Sequence, residues 1–203
     1  MIRTALQFIQ KELEAYIVSR ENDSSYTTGH VVDLKPPALP NGNINLNDAT
    51  HITIIMVGVE EERREGKRPY YVPTEDKQFL QLNPPVEVNL NLLFIANNSN
   101  YETALRDLSN VICFFQSNYT FDEQRYPSLN GGATDPNNKP WQLIERLSFQ
   151  MLSLSFEQQN NLWGMLGPKY IPSIVYRMKM LTAFDTKGKE KAPAITELNL
   201  SGN

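Results

Sequence analysis

Residues 86–97 read Val-Glu-Val-Asn-Leu-Asn-Leu-Leu-Phe-Ile-Ala-Asn. Val86, Val88, Leu90, Leu92, Phe94 and Ala96 occupy alternate positions, with Glu87, Asn89 and Asn91 between them. A helix would scatter these apolar side chains around a cylinder, whereas a pleated strand collects them on one face. Such a face needs a cover, and the next residues supply one. Ser99-Asn-Tyr-Glu102 fits a capping box, with the Ser99 hydroxyl accepting from the Glu102 N–H. Tyr101, Ala104, Leu105, Leu108, Val111, Ile112 and Phe115 follow at one-face helical spacing. The spacing predicts a helix packed on the apolar face of the strand before it.

The rest of the chain is read around this pair. Ile2, Leu6, Ile9, Leu13 and Ile17, with Ala5 and Tyr16 beside them, predict a helix over 2–18. His30–Leu34 suits a short strand. Lys35-Pro-Pro-Ala-Leu-Pro40 suits neither helix nor central strand. His51–Glu60 reads as a central strand, apolar on both faces. Glu60-Glu-Glu-Arg-Arg-Glu-Gly-Lys-Arg68 reads as an exposed charged loop or hairpin tip. Residues 69–85 read as irregular, with a short strand at Tyr70–Val72. Tyr119–Phe121 is a short strand candidate, and 128–140 a long loop. Leu143–Ser155 reads as a strand with Leu147, Phe149 and Met151 on one side. Ser155-Phe-Glu-Gln158 is a second capping box, opening a helix that Gly167 and Pro168 stop. Ile171–Phe184 reads as the last strand, with Ile174, Tyr176, Met178 and Met180 facing one way. The order predicts an α+β fold: a mixed, mostly antiparallel sheet with helices packed on it. Residues 1–184 form one domain in this reading, and 185–203 a polar C-terminal arm.

Composition excludes several functions. The 203 residues carry a net charge of −4 and form no basic block, which argues against nucleic-acid binding. The longest apolar stretches, Ile54–Val59 and Leu92–Ala96, fall far short of the roughly 18 residues of a membrane span. Acids interrupt the first helix, so it does not read as a signal peptide, and synthesis in the cytoplasm is expected. One cysteine allows no internal disulfide.

Residues that tempt a chemical reading have plainer roles. His30 and His51 start strand-like stretches without ligand spacing, so surface or edge positions are expected. Cys113, between Ile112 and Phe114, reads as buried packing. Asn130-Gly-Gly132 lacks the Lys-Ser/Thr of a phosphate loop. No convergent set of catalytic groups is visible, and neither a cofactor nor a metal is expected. What remains is surface. Glu60, Glu61, Glu62, Arg63, Arg64, Lys67 and Arg68 form a mixed-sign patch suited to a complementary partner. Trp141, after Pro140, is a candidate binding aromatic. Ile195, Leu198 and Leu200 in the arm could add a strand to a neighbouring subunit.

Four blocks carry a family resemblance: Met1-Ile-Arg-Thr-Ala-Leu-Gln-Phe-Ile-Gln-Lys-Glu-Leu; Val88-Asn-Leu-Asn-Leu-Leu-Phe-Ile-Ala-Asn-Asn-Ser-Asn-Tyr-Glu-Thr-Ala-Leu; Val111-Ile-Cys-Phe-Phe-Gln-Ser; and Leu154-Ser-Phe-Glu-Gln-Gln-Asn-Asn-Leu-Trp-Gly-Met-Leu-Gly-Pro-Lys-Tyr-Ile-Pro-Ser-Ile-Val-Tyr. The chain resembles the cap, or tail-terminator, proteins of contractile injection systems, in particular the extracellular antifeeding-prophage and virulence-cassette particles. The last block is the most specific, because a helix, its glycine stop and a strand start fall in register. The resemblance implies a fold like phage tail terminators. It also implies a non-catalytic homo-hexameric ring on the distal end of the inner tube and sheath, ending polymerisation and anchoring the last sheath layer. Release of the particle by cell lysis is implied as well. Two other roles stay open on the residues alone: an adaptor or tether in the same particle, and an uncatalogued enzyme.

Overall fold

The computed structural model describes residues 1–36, 46, 50–62, 70–73, 78–82, 86–133, 143–167, 170–182 and 190–193. Its elements in chain order are α1 (Ile2–Glu21), β1 (Val32–Leu34), β2 (Ile52–Glu62), β3 (Tyr70–Pro73), β4 (Gln78–Leu82), β5 (Val86–Ala96), α2 (Tyr101–Ser117), β6 (Thr120–Asp122), β7 (Arg146–Leu152), α3 (Phe156–Leu166), β8 (Ser173–Thr182) and β9 (Glu190–Pro193). The main sheet has the order β1-β2-β5-β8-β7-β6. Only β1 and β2 pair in parallel within it; the other four pairings are antiparallel. The fold is α+β with a mixed, mostly antiparallel sheet, as the sequence predicts.

β5 lies at the centre, bonded to β2 on one side and β8 on the other. Val88, Leu90, Leu92, Phe94 and Ala96 are buried in one core with Tyr176, Met178 and Met180 of β8 and Leu147 and Phe149 of β7. α1 and α2 close this face. α1 contributes Ala5, Phe8, Ile9, Leu13 and Ile17, and ends at Asn22 in the left-handed conformation. Its Glu14 is also buried, and its carboxylate accepts from the backbone N–H groups of Gly29 and Val31, both at 3.0 Å. That acceptor fixes the loop leading into β1. Rings dominate the contact beneath α2: Phe115 stacks on Phe149 at 4.5 Å and meets Phe94 edge-on at 5.4 Å.

The opposite face carries a smaller core. Ile55, Leu93, Ile95 and Val175 pack beneath Trp163 of α3. The predicted capping box is present, with Ser155 and Gln158 bonding reciprocally, and Gly167 ends the helix at φ 88°. This positive φ suits glycine, which has no Cβ to clash.

Several expectations need correction. The cap of α2 is Asn100, one residue beyond the predicted Ser99; its side chain accepts from the Glu102 and Thr103 N–H groups. Both residue types cap well, and the chain selects the one whose backbone is extended there. The buried stripe of α2 is rotated as well. Ala104, Asp107, Asn110, Val111, Phe114 and Phe115 face inward, while Tyr101, Leu105 and Ile112 are exposed. Cys113 is half-buried and not fully enclosed. Met151 is exposed although Leu147 and Phe149 on the same side are buried. Glu60, Glu61 and Glu62 are not a loop tip but the end of β2, paired with Asn89, Val88 and Glu87. The short strand expected at Tyr70–Val72 is present as β3, but the stretch after it, read as irregular, holds β4, and β9 in the predicted arm joins them in a second sheet ordered β3-β4-β9. Within β2 the register shifts between Met56 and Gly58, leaving Val57 as an extra residue.

Candidate assembly surfaces

Period-two alternation and strand register place one charged group on the half of the sheet that α3 does not cover. Beyond the bulge, Gly58, Glu60 and Glu62 lie opposite Asn91, Asn89 and Glu87, which in turn lie opposite Arg177, Lys179 and Leu181. Arg177 meets Glu60 at 3.6 Å, and Lys179 bridges Glu62 and Glu87. The Asn91 amide donates to Glu60 at 3.0 Å, and the Asn89 amide donates to Glu62 at 3.4 Å. Gly58 leaves room for Asn91: a Cβ there would stand 3.3 Å from the amide nitrogen. The charges largely neutralise one another, so the group forms a flat polar surface, not a field of one sign. Within it the Asn89 and Asn91 carbonyl oxygens and the Arg177 Nε lack a hydrogen-bond partner although they are buried. What the strip presents to solvent is its half-exposed charged side chains, Glu60, Glu62, Arg177 and Lys179, of alternating sign, which suits register with a partner more than raw affinity.

A second surface surrounds α3. Phe156 is 93% exposed, and Met151, Leu154, Met165 and Tyr170 are between 36% and 69% exposed. Beside them opens a cavity of about 220 Å³, lined by Leu152, Leu154, Leu162, Trp163, Ile174 and Val175 among others. Trp163 is 4% exposed, and its indole N–H has no acceptor. A buried donor without a partner is uncommon and costly. A third surface is the outer side of α2, where Tyr101, Leu105 and Ile112 recur at i, i+4 and i+11 with exposures of 41–64%.

The titratable groups gather elsewhere, between α2, the start of β2 and the loop after α1. Tyr26 donates to Asp107 Oδ1 at 2.6 Å, and His51 Nδ1 meets Asp107 Oδ2 at 3.0 Å. The Tyr26 and His51 rings stack at 4.2 Å. Arg106 donates to the Tyr26 hydroxyl and pairs with Glu21, which accepts from Asn110 at 2.6 Å. The Asp107 hydrogen bond raises the His51 pKa against the opposing effect of burial. Burial, and then Asp107, push the Tyr26 phenol well above its ordinary range. Asp107 is fully buried and Tyr26 nearly so. The cluster therefore ties three segments together. His51, expected at a surface or edge, is instead a partner in this tie. The sequence signal was Asp107 and Asn110 on the inward stripe of α2, polar side chains that need partners once buried.

Of the residues named from sequence, Glu60 and Glu62 come together with Arg177, Lys179 and Asn89, and Glu61 points to the other side of β2. Arg63, Arg64, Lys67, Arg68, Trp141, Ile195, Leu198 and Leu200 lie outside the described residues. The α3 surface, with its cavity, was missed. Among the described residues, no group of three His, Cys, Asp or Glu side chains is placed to hold a metal ion. No helix among them is long and apolar enough to cross a membrane.

The family described as the Pvc16 N-terminal domain matches residues 4–197. No curated protein matches the chain. The sheath/tube terminator of PVC, an extracellular contractile injection system in the extended state, superposes with a TM-score of 0.62 at 15% identity, covering 100% of this chain and 63% of that one. The tube-terminating cap of the anti-feeding prophage superposes with a TM-score of 0.57 at 16% identity, covering 97% and 59% respectively. At these identities the likeness establishes the fold. This chain spans about three fifths of the length of those solved chains.

Proposed function

The chain belongs to the Pvc16 N-terminal domain family, and on that footing we propose that it is a structural cap that ends the tube and sheath of a contractile injection particle. The observation that carries this reading is the superposition of the whole chain on a sheath/tube terminator. The surface supports it. Among the described residues, Phe156, Met165, Tyr101 and Tyr170 are large apolar side chains left exposed.

The proposed mechanism is thermodynamic and non-catalytic. A growing tube adds subunits because each new ring presents a fresh copy of the docking face. A terminator binds that face and presents a different one, so the next tube ring finds no complementary surface. The proposed assembly is a homo-hexameric ring that contacts the inner tube and anchors the last sheath layer. Each subunit then makes two unlike contacts that close around the axis. The charged strip of Glu60, Glu62, Arg177 and Lys179, together with Arg63, Arg64, Lys67 and Arg68, is proposed to set register against a neighbour. Trp141 and the arm residues Ile195, Leu198 and Leu200 are proposed as further contacts. In this proposal the chain is made in the bacterial cytoplasm and leaves with the particle on lysis.

Deleting the gene in the producing cell tests the function. Electron micrographs are expected to show tubes and sheaths of uncontrolled length. Particles of normal length and normal length distribution would overturn the proposal.

A further inference from the structure

We propose that His51 is a proton-operated latch: with both ring nitrogens protonated it holds the turn at Asp23–Tyr26 against α2, and loss of one proton releases that turn. The latch belongs to the free chain and does not depend on the cap reading.

Its geometry is set by two acceptors. His51 Nδ1 lies 3.0 Å from Asp107 Oδ2, and Nε2 lies 3.3 Å from the Ser25 carbonyl oxygen. Neither a carboxylate nor a carbonyl oxygen has a hydrogen to give. The Tyr26 hydroxyl, which could have donated to the ring, donates instead to Asp107 Oδ1 at 2.6 Å. A neutral imidazole has one N–H and one bare nitrogen, so it satisfies one of these contacts and opposes the other. An imidazolium donates both ways. A proton placed on Asp107 Oδ2 is the same state with the hydrogen at the other end of one bond, because the pair titrates as a unit. The Tyr26 ring, stacked on the imidazole at 4.2 Å, also favours the cation.

The surrounding charges decide between the two forms. α2 brings Asp107 and Arg106, the end of α1 brings Glu21, and the turn brings Asp23 and Tyr26. Lys35, after β1, pairs with Asp33 and donates to Thr50, the residue before His51. Arg106 opposes a second cation, but it is paired with Glu21 at 3.5 Å. The Asp107 hydrogen bond outweighs both burial and Arg106, and the His51 pKa is raised. The loop between α1 and β1 is held at both ends. At its far end Glu14 accepts from the Gly29 and Val31 N–H groups, bonds that do not involve this proton. At its near end Ser25 is held by His51. When the proton leaves, the remaining N–H stays with Asp107, the charged and stronger acceptor. A bare Nε2 then faces the Ser25 carbonyl, lone pair against lone pair. The near end opens while the far end stays closed.

Nuclear magnetic resonance on the full chain tests this. The ring nitrogen shifts of His51 are expected to titrate with a midpoint above about 6.5, the ordinary value. Amide hydrogen exchange is read as protection relative to the unfolded chain, which removes the intrinsic effect of pH. Protection at Ser25 and Tyr26 is expected to fall about tenfold between pH 6 and pH 9, and by less than about twofold at Gly29 and Val31. In His51→Gln, which cannot titrate, protection at Tyr26 is expected to be the same at both pH values. A His51 midpoint at or below about 6.5 overturns the latch. So does protection at Ser25 and Tyr26 that ignores the titration, or a loss that Val31 shares equally, which would make it a loss of whole-chain stability. Should His51→Gln fail to fold, the wild-type titration and exchange decide the matter alone.

Discussion

The two faces of the main sheet are built from the same strands and finished differently. On one, β5, β7 and β8 present an unbroken apolar surface that α1 and α2 close with stacked and edge-on rings. On the other, α3 covers only the end around Leu93, Ile95 and Val175, and the remainder is the polar strip around Asn89, Arg177 and Lys179. The closed face supplies the stability of the subunit. The half-open face leaves groups whose hydrogen bonds the chain does not complete itself.

Substitutions should separate the faces by size of effect. Phe94→Ala, at the centre of the closed face, is expected to cost about 3–5 kcal/mol in urea unfolding, through lost burial and the cavity it leaves. A loss below about 1 kcal/mol would mean that the closed face does not dominate. The tie at the edge of that face should give a smaller, pH-dependent effect. The raised His51 pKa means that its contribution is fully present below about pH 6.5, its ordinary value, and is lost as pH rises through the folded value. His51→Gln is therefore expected to remove about 1–2 kcal/mol at pH 6 and less at pH 9, measured as the difference between the two unfolding curves. An equal loss at both pH values would assign His51 a packing role only. The smallest effect is expected at the open strip. Arg177→Ala should change stability by less than about 1 kcal/mol, and by still less in high salt, because its partner Glu60 is exposed.

The closed face was legible because its pattern is local. Alternation in Val88–Ala96 admits one regular structure, and the Ser155–Gln158 box names its own helix start. What was illegible depended on distant partners. Glutamate is a poor strand former, yet Glu60–Glu62 extend β2, where Arg177, Lys179, Asn89 and Asn91 bond to Glu60 and Glu62. β4 and β9 pair across more than a hundred residues, and a proline ends β9. The α2 stripe shows a different limit. Apolar spacing narrows the inward side of a helix to a broad arc and does not fix its centre. Tyr101, Leu105 and Ile112 were read as inward for that reason, while Asp107 and Asn110 took those places beneath the helix.

Val57 works as a phase shifter. Ahead of it, the even-numbered residues Ile52 and Ile54 of β2 look toward the helices α1 and α2; after it, the even-numbered Glu60 and Glu62 look the opposite way, toward Lys179. The same residues paired without this bulge would alternate strictly and turn both carboxylates to the other side of the strand. The strip would lose its acids and the helix side would gain two charges, so one inserted position decides which side of the strand each of these glutamates occupies.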